Sequence, residues 1–269
     1  MNNFLQRTIT GSVFVAVIIA SIWWGPLSFQ LLFLLAAIMA LREFYTLMSS
    51  SECQPFHTGG MVVGILTYLI ISGYSSGYFP LNFLVLLLPA AAILFFSELY
   101  RRKSRPFINI AVSISGILYT VIPFALLTSL SFIPGYYHKG LLLGYFVLLW
   151  SSDTFAYVWG SLFGRNRLFE RISPKKSWEG SILGTLSTMA IAWLISGLFS
   201  EIALQHWLVM ALIICVTGTL GDLTESLLKR SLGIKDSGNI LPGHGGLLDR
   251  FDALLLSVPF VIAYLVLFL

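Results

Sequence analysis

Nine apolar runs, each long enough to cross a bilayer, constrain this chain more than any other feature. They fall at about residues 8–24, 27–48, 59–78, 80–100, 107–132, 139–162, 178–200, 205–221 and 252–269. The breaks between them carry turn residues: Gly25-Pro26, Gly59-Gly60, Phe79-Pro80, Arg105-Pro106, Pro134-Gly135 and Ser173-Pro174. Inside hydrocarbon each backbone N–H and C=O must find a partner within the protein, which leaves helices and closed barrels. Barrel strands would alternate in polarity, whereas these runs are continuous, so helices are expected. Hydrophobic residues make up 57% of the chain and charged residues 10%, against roughly half and a quarter in a soluble domain. The expected fold class is all-α: a polytopic integral membrane helical bundle of about nine transmembrane helices. The first run has no small-residue cleavage site after it and is read as a retained helix.

Orientation follows from the cations. With a cytoplasmic N-terminus, the inner segments hold Arg7, Arg42, Arg101, Arg102, Lys103, Arg105, Arg165, Arg167, Arg171, Lys175, Lys176, Lys229, Arg230, Lys235 and Arg250. Those are fifteen of the sixteen Lys and Arg residues, with Lys139 alone outside. That bias predicts N-terminus in, an odd number of spans and three charged loops on the cytoplasmic side. It also explains the formal charge of +4 without nucleic acid. Cys53 lies in a polar loop and Cys215 inside an apolar run, so no disulfide framework is implied. The Arg101–Arg105 cluster lacks interleaved acids and reads as a topogenic or headgroup anchor.

The charge that remains is concentrated. Residues 221–252 hold nine of the 28 charged residues, together with His244. Asp222, Glu225, Ser226, Lys229 and Arg230 stand at offsets 0, 3, 4, 7 and 8, one face of a helix. The eighth run should therefore continue as an amphipathic helix with acids first and bases beyond. Asp222 and Glu225 could form ordinary surface ion pairs, but carboxylates next to a membrane run usually face a functional cavity. Lys235, Asp236, Ser237 and Gly238 lead into a glycine-rich stretch through His244, Gly245 and Gly246, where the backbone can approach phosphate oxygens. Asp249 and Asp252 stand one turn apart at the start of the ninth run, with Arg250 beside them. Carboxylates on neighbouring helices suit Mg2+, which takes oxygen ligands and substrate phosphates. Upstream, Ser173, Lys175, Lys176 and Ser177 form a loop suited to anions, although a positive-inside anchor accounts for the lysines almost as well. Asp153 reads as the one carboxylate well within an apolar run, expected to face a cavity and pair with a cation or metal.

The run Ser226-x-Leu228-Lys229-Arg230, then Lys235-Asp236-x-Gly238-x-x-Leu241-Pro242-x-His244-Gly245-Gly246-Leu247-x-Asp249-Arg250-Phe251-Asp252, resembles the signature of the phosphatidate cytidylyltransferases. Asp153-x-x-Ala156-Tyr157 and Ser173 through Gly180 fit the same family. The resemblance implies transfer of a cytidylyl group from CTP to phosphatidic acid at a bilayer, with release of diphosphate. It implies Mg2+ with room for a second cation, a multi-pass protein of the bacterial inner membrane, and a site on its cytoplasmic side. Asp222, Asp249 and Asp153 are expected as metal ligands, and Asp222, Asp249, Asp252, Lys229 and Arg230 as catalytic residues. Ser173, Lys175, Lys176, Ser177, Lys235, Asp236, His244, Gly245, Gly246 and Arg250 are expected to bind substrate. Residues 141–269 would be the catalytic region. Residues 1–140 match only as apolar spans and would be scaffold, with room for a homodimer. Two alternatives are a CTP-dependent kinase of a lipid alcohol and an ion-coupled transporter using Asp153 and Asp222.

Overall fold

A computed structural model describes residues 3–133, 135–238 and 245–269. Its helices are α1 (Asn3–Trp24), α2 (Pro26–Met48), α3 (His57–Ser75), α4 (Leu87–Arg101), α5 (Pro106–Gly116), α6 (Ile122–Leu130), α7 (Lys139–Phe163), α8 (Trp178–Ser196), α9 (Leu204–Ser231) and α10 (Leu248–Phe268). A 3-10 stretch, Leu81–Leu86, leads into α4, and a π turn, Ile117–Val121, joins α5 to α6. The expected all-α membrane bundle is therefore found. Seven rods among the described residues are long and apolar enough to span a membrane: α2, α3, Leu81–Arg101, Pro106–Leu130, α7, α9 and α10. Thr8–Trp24 of α1 is a shorter apolar helix, and α8 falls outside that set.

One segment departs from expectation. Residues 167–177, read as part of a loop, form an antiparallel hairpin of β1 (Arg167–Phe169) and β2 (Ser173–Ser177). Arg167 faces Ser177 and Phe169 faces Ser173, so β2 carries the extra residues of a bulge. Pro174, which cannot donate to a ladder, is tolerated because a two-stranded ribbon has only edges.

The chain divides into two compact units. The first holds residues 1–132 with 236–250, and the second holds 133–235 with 251–269. In the first, Phe29, Phe33 and Phe124 pack with ring centroids 4.6 and 5.7 Å apart, and the buried Tyr45 hydroxyl donates to the Ser113 carbonyl at 2.6 Å. In the second, Tyr145, Trp207, Met210, Ile214 and Leu254 are fully buried, and the Tyr145 and Ser257 hydroxyls meet at 2.7 Å. Large apolar side chains face outward in both, among them Trp24, Leu88, Leu99 and Leu267. Asn109, Ser113, Thr120, Thr128 and Thr188 are buried instead. The Ser and Thr hydroxyls donate back to carbonyls three or four residues earlier, as in Thr120 to Gly116 and Thr188 to Gly184, and the Asn109 amide donates to the Ser104 carbonyl at 2.9 Å. Apolar outside and satisfied polar groups inside is what hydrocarbon solvent demands.

Candidate active site

In the second unit α9 does what the offsets require. Its 28 residues extend about 42 Å at 1.5 Å per residue, more than the roughly 30 Å hydrocarbon core. The helix therefore crosses and continues, carrying Asp222, Glu225 and Lys229 along one face. Gly221 lets α10 close on α9 at this level: a β-carbon there would stand 2.5 Å from the carbonyl oxygen of Asp252. That contact brings the two acidic stretches together. Asp222, Glu225 and Asp252 each offer a carboxylate oxygen, all within 4.8 Å of one another.

Two lysines are tied to this group. Lys176, half-buried on β2, forms an ion pair with Asp222, and Lys229 forms one with the buried Glu225. Ser226 donates to Asp222 at 3.3 Å, and the Ala253 N–H donates to Asp252 at 2.7 Å. Asp153 of α7, expected as a metal ligand, lies outside this group of three. Three carboxylates against two ammonium groups leave a negative surplus when all are ionised, which suits a divalent cation.

The hairpin brings Lys176 to this group and α8 fixes the hairpin. Ser177, buried, caps α8 by accepting from the Gly180 N–H at 3.2 Å. Glu179 accepts from the backbone N–H of Arg165 and Asn166 and from the Asn166 amide at 2.7 Å. It thereby ties the start of α8 to the end of α7. Lys175 is exposed and Ser173 half-buried on the same strand. Arg230 and Lys235 are exposed beyond the acidic group, and Arg230 reaches the Ile234 carbonyl at 3.5 Å.

The remaining expected residues lie in the first unit. Asp249 Oδ2 accepts from the Ser237 N–H and hydroxyl, both at 2.9 Å, and from the Gly246 N–H at 2.8 Å. Expected as a metal ligand, it is engaged in shaping its own loop, and the carboxylates grouped for a cation are Asp222, Glu225 and Asp252. The Gly246 N–H, expected to aim at phosphate, points at Asp249. Gly245 takes the left-handed conformation at φ 82, where a side chain would be strained. Asp236 and Arg250 are exposed. His244, with Leu241 and Pro242 of the signature, lies outside the described residues. The Arg101–Arg105 cluster makes structural ion pairs, Arg101 to Glu98 and Arg105 to Glu52, both at 2.6 Å.

Two acids carry more than sequence reading gave them. Glu225 was expected with Asp222 to face a functional cavity, but not as one of the metal ligands. Glu43 of α2 was passed over, and Asp153 was taken for the one carboxylate within an apolar run. Glu43 is 6% exposed in the first unit, and its signal was simply a carboxylate among Phe44, Tyr45 and Leu41.

Fold and site together define a polytopic membrane protein with a lysine-paired carboxylate centre at the end of its longest helix. The model of the cytidylyltransferase family matches residues 5–268. A phosphatidate cytidylyltransferase of Staphylococcus haemolyticus is 30% identical over 256 residues, covering 94% of this chain and 95% of its own. One from Synechocystis is 29% identical over 296 residues, with 98% and 97% covered. One from Rickettsia bellii is 37% identical over 187 residues, with 67% and 78% covered. The chain belongs to the cytidylyltransferase family, and it is a membrane-embedded nucleotidyltransferase. The match runs through residues 1–140, where no motif was read.

Proposed function

We propose that the chain transfers the cytidylyl group of CTP to phosphatidic acid, forming CDP-diacylglycerol and diphosphate. The observation that carries the site assignment is the convergence of Asp222, Glu225 and Asp252 with Lys176 and Lys229 where α9 and α10 close on each other. A phosphate oxygen of the lipid attacks the α-phosphorus of CTP, the bond to the β-phosphate oxygen breaks, and diphosphate departs with that electron pair. The lipid phosphate is already ionised near neutral pH, so the step needs positioning and charge neutralisation more than a strong base.

Asp222, Glu225 and Asp252 fit a Mg2+ ion, with Asp153 adding charge from α7. When bound, the ion neutralises phosphate oxygens and steadies the leaving diphosphate. Lys176 and Lys229, ion-paired to the acids here, would be available to hold substrate phosphate with a cation bound by the acids. Arg230, Lys235 and Arg250 supply further positive charge for the triphosphate or the lipid phosphate, and Lys175 steers from the exposed strand. The same reading puts the N-terminus and the site on the cytoplasmic side, with nine crossings, because fifteen of sixteen cations then lie inside.

The test is purified protein in detergent with phosphatidic acid, Mg2+ and each nucleoside triphosphate in turn, followed by mass detection of lipid products. CTP alone should yield CDP-diacylglycerol, and chelation should abolish it. A phosphorylated lipid alcohol made from CTP, or equal turnover with ATP, would overturn the reading.

A further inference from the structure

Glu43 lies one turn from the end of α2, in a helix apolar enough to span a membrane. A carboxylate buried there is costly unless polar groups surround it. Its partners come from residues about two hundred positions away in the chain. Oε2 accepts the Leu247 N–H at 2.8 Å, and Oε1 accepts the Leu248 N–H at 3.3 Å together with the Ser237 hydroxyl. Leu247 and Leu248 are the last residue before α10 and its first residue, so Glu43 satisfies N–H groups that a helix start leaves without intrahelical partners. Glu43 thus caps α10 from another helix.

The Ser237 hydroxyl also reaches Asp249 Oδ2 at 2.9 Å, so one proton serves two carboxylates. Glu43 and Asp249 between them bind both ends of the signature loop, Ser237 on one side and Gly246, Leu247 and Leu248 on the other. The fit is tight: a β-carbon on Gly246 would lie 2.0 Å from Glu43 Oε1 and 2.1 Å from the Ser237 Oγ.

We infer that Glu43 is a positioning residue for the reaction: it ties Ser237 to Leu247 and Leu248 and sets where α10, with Asp249 and Arg250, begins. It acts by accepting hydrogen bonds. A glutamine would preserve much of this, because its carbonyl accepts from Leu247 while its NH2 donates to the Ser237 oxygen, leaving that hydroxyl proton for Asp249. The consequence for the enzyme rests on the cytidylyl-transfer reading; the consequence for the loop does not.

Amide hydrogen exchange on detergent-purified protein, without substrate, tests the loop directly. Glu43→Ala should raise exchange across residues 245–250 while α9 stays protected, and Ser237→Ala should raise it less. Turnover in Glu43→Ala should fall roughly 10- to 100-fold, the scale of a misplaced constellation, and Glu43→Gln should restore at least about half of it. Unchanged exchange at 245–250 in Glu43→Ala overturns the inference whatever reaction is catalysed. A Glu43→Gln variant as inactive as Glu43→Ala also overturns it, because charge rather than hydrogen bonding would then be the operative property.

Discussion

Two carboxylate groups, one in each unit, are matched in opposite ways. In the second unit Asp222 and Glu225 are matched by the ammonium groups of Lys176 and Lys229, on long flexible stems. In the first, Glu43 and Asp249 are matched by backbone N–H groups and a serine hydroxyl, which hold fixed positions and carry no formal charge. A lysine on a flexible stem can exchange its partner, whereas backbone partners cannot leave without undoing a helix start. The same kind of side chain thus has exchangeable partners in one place and fixed ones in the other.

The sharpest way to break this contrast is to neutralise one acid of each kind. Asp222→Asn or Asp252→Asn should lower turnover by roughly 10²–10³-fold, since a metal supplies several kcal/mol of charge stabilisation. The same variants should raise the Mg2+ concentration needed for half-maximal rate. Asp249→Asn should cost about tenfold and leave that Mg2+ requirement where it was; a shifted requirement would move Asp249 among the metal ligands. Next in size, Lys176→Met strands Asp222 without its cation and removes a charged hydrogen bond worth about 1.5–3 kcal/mol, so turnover should drop roughly 10- to 100-fold. Lys175→Ala should only raise the apparent KM for CTP or lipid, by no more than about fivefold, as expected of an exposed charge. An equal effect of the two lysine changes would show that the ion pair seen here is incidental. Smallest of all, Ser177→Ala removes the cap of α8 and should destabilise by about 1 kcal/mol, read as a lowered thermal midpoint in detergent.

Membrane helices are legible because the bilayer imposes one rule on every residue of a span, and α9 was legible beyond the span because Asp222, Glu225 and Lys229 repeat at helical offsets. The ion pair Glu225–Lys229 is a four-residue relation and could be read locally. The hairpin could not: β1 has three residues, β2 is bulged and contains proline, and no alternation survives over so short a ribbon. Glu43 was hidden for a different reason. Its partners stand 194 to 205 residues away, and a helix with Arg42-Glu43 near its end looks like any helix leaving a membrane. The bond from the Gly246 N–H to Asp249 was hidden in a milder way, since an acid three residues after a glycine does not announce which donors it gathers.

The bulge in β2 has a bearing on how such a chain can vary. Between paired positions β1 advances from 167 to 169 while β2 advances from 173 to 177, so the strand holds two residues of slack, and Lys175 and Lys176 occupy it. The ribbon is paired at both ends of this stretch, and Lys176 meets Asp222 from inside it. A β2 shortened to regular register should keep the ribbon and lose that ion pair. Strand length here thus sets the reach of Lys176, independent of which residues surround it.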